Sequence, residues 1–114
     1  MYVEHALAEL NAGSNMNRTL PVRVQTLWLA DDFALIGLQG EPLIGLGAAV
    51  ERAVGPAQAL VLGYANGCVT YLPDSTELSR GGYEQWSFLY HNCTGPFTPD
   101  IEDVLADAVW KRQL

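Results

Sequence analysis

The sequence predicts an α/β (α+β) fold, a mixed sheet of about four to five strands with helices packed on it. Three observations lead there. Apolar residues alternate between Val22 and Trp28 and run almost unbroken through residues 33–38 and 58–65, the patterns of half-buried and buried strands. Behind Pro42 and Pro99, apolar residues recur instead at helical spacing. Glycine, proline and asparagine separate the segments, so every element is short.

Each element has its own local signal. Val3, Ala6, Leu7 and Leu10 share a helical face, and Ala12-Gly13-Ser14-Asn15 stops that helix before a polar, aperiodic loop. Val22, Val24, Thr26 and Trp28 form the inward side of the first strand, and Asp31-Asp32 turns the chain into the second, making a hairpin. Pro42 suits the first turn of a helix whose Leu43, Leu46, Val50 and Val54 point one way until Gly55-Pro56 ends it. Gly45 and Gly47 within it would let helix and sheet approach closely. Residues 58–65 are among the most apolar and are expected at the sheet centre; Asn66-Gly67 breaks them. Residues 68–72 read as a strand end or active loop, and Asp74 or Ser75 caps a helical turn that Gly81-Gly82 closes. The aromatic content of residues 83–90 predicts a further strand with one wet side. Thr98 caps and Pro99 opens a last helix, with Ile101, Val104, Leu105, Ala108 and Trp110 as its apolar face.

At 114 residues and 12.4 kDa, with 49% apolar residues, the chain builds one modest core and one domain. Its net charge is -7 and its six Lys and Arg are scattered, so it lacks the basic patch that nucleic acid requires. Every apolar run is interrupted well before the ~20 residues that span a bilayer, and residues 1–10 lack a signal-peptide pattern. The expectation is a soluble protein with no transmembrane segment. Cys68 and Cys93 stand outside any CxxC or Cys/His cluster, so they read as two buried thiols or, in an extracellular protein, a disulfide. No GxGxxG or GxxxxGK pattern indicates a phosphate loop. Asn17-Arg18-Thr19 and Asn92-Cys93-Thr94 match the glycosylation acceptor triplet, a pattern frequent by chance.

One ordered set of signals carries more. A buried strand delivers Gly40-Glu41 to the start of a helix; a second ends in Gly63-Tyr64-Ala65-Asn66; Val69-Thr70-Tyr71-Leu72-Pro73 follows, and then Gly82-Tyr83-Glu84 and a terminal helix. In this order and spacing, residues 21–109 resemble the C-terminal part of the catalytic domain of neutral/alkaline (non-lysosomal) ceramidases. The resemblance implies a partial layer of a larger domain that hydrolyses the amide bond of ceramide to sphingosine and fatty acid. It implies one zinc ion held by two histidines, a glutamate and a tyrosine, and proteins that are often secreted. Glu41 and Tyr71 stand at the glutamate and tyrosine ligand positions, and Tyr83 stands near the substrate carbonyl.

Zinc polarises a carbonyl and brings the pKa of bound water down to ~7, which is what amide hydrolysis at neutral pH needs. Glu41 offers a hard carboxylate, though it could equally cap its helix. Tyrosine is a rare ligand, since its pKa is ~10 unless a metal draws off the proton, and Tyr71 could be an ordinary strand aromatic. Tyr83 could donate to a developing oxyanion or simply pack. The family's paired histidines have no counterpart: His5 and His91 stand at no matching position, and His91 reads as a solvated loop residue. The leading expectation is therefore a ceramidase-like chain that is incomplete and inactive alone. Two others stand beside it: a zinc site completed between subunits, and a non-catalytic assembly module. Both of these, and the uncovered faces of a trimmed sheet, imply a homo-oligomer.

Overall fold

The computed structural model describes residues 19–90 and 96–109, together with residues 4, 7, 8 and 11. β1 (Val24–Ala30) and β2 (Phe33–Leu38) form the expected antiparallel hairpin, with a bulge between Trp28 and Ala30. β2 leads through Gly40 into β3 (Glu41–Pro42) and α1 (Ile44–Arg52), and the chain returns as β4 (Gln58–Leu62), parallel to β2. This mixed sheet has the order β1-β2-β4, while β5 (Tyr71–Leu72) pairs in parallel with β3 in a separate two-stranded sheet. α2 (Ser75–Arg80), α3 (Tyr83–Trp86), a 3-10 turn (Ser87–Leu89) and α4 (Ile101–Asp107) complete an α+β fold. None of the described helices is long and apolar enough to cross a membrane.

The core lies on one side of the mixed sheet. Ala34, Ile36 and Leu38, every second residue of β2, are fully buried against Leu46 and Val50 of α1 and Ile101 and Leu105 of α4. Each such aliphatic side chain contributes ~1.5–3 kcal/mol relative to exposure, so β2 is the strand the fold is built around. Val24 and Trp28 of β1 pack on this cluster, as their alternation predicts, and Val22 joins them from the segment just before the strand. The opposite side of the sheet carries a cross-strand row, Leu27–Leu35–Leu60, in which Leu27 is 58% and Leu60 52% exposed.

Several expectations need correction. Residues 58–65 do not run through the sheet centre: β4 is an edge strand ending at Leu62, and its apolar sequence reflects an outward side that the described residues leave open. The strands divide into two sheets rather than one. Residues 83–90 are helical, because Gly81 and Gly82 reverse the chain at positive φ and the Ser87 hydroxyl donates back to the Glu84 carbonyl at 2.9 Å, closing a turn. Pro42 lies in β3 and Leu43 is the N-cap of α1, and α4 has Asp100 as its N-cap with no side-chain cap from Thr98. On α4 the buried stripe is Ile101, Leu105 and Val109, which turns Val104 and Ala108 to solvent. Asp74 does cap α2, accepting from the Glu77 N–H at 2.9 Å. Most of the expected N-terminal helix falls outside the described residues, as do His5, Asn17, His91, Asn92, Cys93 and Trp110.

Gly40 fixes where the two sheets meet. A Cβ there would lie 2.7 Å from Leu72 Cδ1 and 3.1 Å from the Thr70 carbonyl oxygen. We expect Gly40→Ala to lose ~1–3 kcal/mol in urea denaturation, as overpacking does. In α1, by contrast, a Cβ on Gly45 would strike Asp74, whereas one on Gly47 meets nothing within 4 Å, so Gly47 does not serve helix-to-sheet packing. Gly47→Ala is expected to gain roughly 1 kcal/mol from helix propensity in the same measurement.

Candidate functional site

Three backbone segments converge just beyond the C-terminal ends of β2 and β4, the end at which open α/β sheets hold ligands. Glu41 N–H donates to the Thr70 carbonyl and Leu43 N–H to the Leu72 carbonyl, both at 3.0 Å. This pairing sets Glu41 opposite Tyr71 in register. The helix that follows takes no side-chain cap, so Glu41 is free of the capping role that sequence leaves open for it.

The third segment leaves β4. Gly63 packs on Pro42, where a Cβ would come within 2.9 Å of the ring, and Tyr64 N–H donates to the Gly40 carbonyl at 2.8 Å. Tyr64 then holds φ 57 and Asn66 φ 61, left-handed backbone that a bulky residue such as tyrosine rarely adopts. The bend is anchored on the outer side of the sheet: Gln39 Nε2 donates to the Asn66 carbonyl at 3.3 Å, and the Asn66 amide reaches Gln25 Oε1. Such strain persists only where the surroundings enforce it, and here it turns the Tyr64 phenol toward Glu41.

Tyr83 joins from α3. Its ring meets Tyr71 edge-on at 5.8 Å between centroids and lies 5.5 Å from Tyr90. The element beneath is tied to β5 by a buried pair of hydroxyls, Thr70 and Ser87, 3.1 Å apart. Thr70 thus serves both β3 through its carbonyl and the 3-10 turn through its side chain.

One carboxylate dominates the electrostatics. Hydrogen bonding to Glu41, with desolvation and the Glu41 charge, pushes the Tyr64 phenol up to about 12. The Glu41 charge is also the largest cause that raises Tyr71, ahead of desolvation. Cys68, expected as a buried thiol, is instead exposed on the loop before β5; desolvation and then Glu41 raise it, so it stays protonated at neutral pH and is a poor nucleophile. Among the described residues no Lys or Arg pairs with Glu41, and no group of three or more His, Cys, Asp and Glu gathers as a metal site would require.

No protein-family model, curated protein or solved structure matches this chain. Its residues must speak for themselves.

The structure brings Glu41, Tyr71 and Tyr83 together at one rim. It adds Tyr64, to which the sequence assigned no role beyond the end of a strand. Its only signal was an aromatic beside the Asn66-Gly67 breaker, where an exposed tyrosine gains nothing from packing. Because Tyr64 keeps its proton up to about 12 in the folded protein against 10.0 ordinarily, its contribution to stability is complete below pH ~10 and disappears between the two values. We expect Glu41→Gln to move both Tyr64 and Tyr71 back toward the ordinary value, seen as tyrosinate absorbance developing at lower pH. An unchanged titration would mean that the carboxylate does not reach the phenols.

Proposed function

We propose that this chain carries the glutamate and tyrosine side of a ceramidase-like site for hydrolysing the N-acyl amide of ceramide, and that it is inactive alone. The observation that supports this reading is the register pairing of Glu41 with Tyr71, with Tyr83 5.8 Å further on. Tyr83 is then available as a donor to an oxyanion, an effect worth ~3 kcal/mol when well placed.

The reading implies zinc. Glu41 and Tyr71 offer two oxygen donors, whereas a catalytic zinc keeps three protein ligands, and the described residues include no histidine. These residues do not by themselves fit a held zinc ion, so no chemical step of this chain runs through one. The purified chain is expected to release no fatty acid from ceramide with zinc in excess, and to take up zinc only weakly, less still after Glu41→Gln. Zinc-dependent turnover would overturn the inactivity, and zinc uptake indifferent to both Glu41→Gln and Tyr71→Phe would overturn the site.

A second reading, a non-catalytic oligomeric assembly module, is favoured by one observation. The outer side of the sheet exposes Leu27, Leu29, Leu60 and Leu62, and β4 is an edge with neither charge, proline nor bulge to blunt it. On this reading sedimentation velocity shows an oligomer that Leu60→Lys dissociates. A monodisperse wild-type monomer would remove it.

A further inference from the structure

Asn66 is the only asparagine of the chain that a glycine follows, and the pair is exposed just beyond β4. In such a pair the side-chain amide is open to attack by the nitrogen of the next residue, because glycine sets no side chain in its path. The Gly67 nitrogen gives up its proton and bonds to Asn66 Cγ, the bond from Cγ to the amide nitrogen breaks, and ammonia leaves. Water then opens the cyclic imide at either carbonyl, giving aspartate or isoaspartate with no change of oxidation state. A Cβ at Gly67 would meet nothing nearer than Gln39 Nε2 at 3.5 Å, so the pair is open to water.

The fold opposes the first step. Ring closure needs the Gly67 nitrogen eclipsed with Asn66 Cβ about the Cα–C bond. Asn66 stands at φ 61, in the left-handed region, where that nitrogen lies nearly opposite Cβ, roughly half a turn away. Two glutamines hold it there: the Asn66 amide donates to Gln25 Oε1, and Gln39 Nε2 donates to the Asn66 carbonyl at 3.3 Å. We propose that Asn66 is a latent site of self-modification, kept as the amide while Gln25 and Gln39 hold the bend and converted to isoaspartate or aspartate once the bend opens. Isoaspartate blocks the return, since its main chain runs through Cγ and is one methylene longer. The bend that brings Tyr64 N–H to the Gly40 carbonyl and Ala65 N–H to the Leu38 carbonyl then comes loose. The reaction needs neither ligand nor metal, so it does not depend on the lipid-amide reading.

The test is prolonged incubation of the full chain in mildly alkaline buffer, followed by peptide mapping for isoaspartate at residue 66, with Asn66→Gly as the blank. Native wild type is expected to convert roughly tenfold or more slowly than the same chain in urea, because both side-chain hydrogen bonds must break first. Gln25 is exposed on β1, so Gln25→Ala leaves the core intact and should speed native conversion severalfold. Gln39→Ala should do the same through the other bond. In both variants hydrogen exchange at the buried Ile36 should stay as in wild type, which marks the opening as local. The isoaspartate form, once isolated, should lose exchange protection at the Tyr64 and Ala65 amides. Equal rates in buffer and urea, native conversion indifferent to both glutamine substitutions, absence of isoaspartate in urea, or full protection of Tyr64 in the modified chain would each overturn the proposal.

Discussion

The close crossing at Gly40 is the constraint on which the rest of the site depends. With no side chain at this residue, Leu72 and the Thr70 carbonyl come within reach of the chain leaving β2, and the hydrogen bonds from Glu41 and Leu43 to β5 follow. The Gly40 carbonyl receives Tyr64 N–H on its other side. One small residue therefore gathers three segments far apart in sequence, and the two sheets share a seam instead of merging.

At that seam one carboxylate sets the chemistry. Glu41 is partly open to solvent, yet it raises the phenols around it, Tyr64 chiefly through a hydrogen bond and Tyr71 chiefly because ionising it would set like charges together. The result is a carboxylate bordered by proton donors. A cation is the species that such an arrangement attracts.

Much of this was legible in the sequence. The hairpin, the helix after Glu41, the Asp74 cap and the inward face of β1 each followed from local pattern, and Glu41, Tyr71 and Tyr83 were singled out by their order along the chain. What pattern could not convey was context. An apolar run is the same string in a central strand and in an edge strand with an open side, so β4 was placed wrongly. Aromatics favour strands only when the backbone is free to extend, and the paired glycines before Tyr83 redirected it. Tyr64 was invisible as a site residue because its role arises from an unusual backbone angle and from contacts with Gly40 and Glu41 that no local spacing encodes.

The backbone at Tyr64 also bears on how such a protein would respond to engineering. Glycine would occupy the same φ without strain, so a screen that rewarded heat resistance alone would favour exchanging the aromatic for it. The sturdier descendant would have lost the hydroxyl beside the carboxylate. Robustness and ligand chemistry pull in opposite directions at this one position.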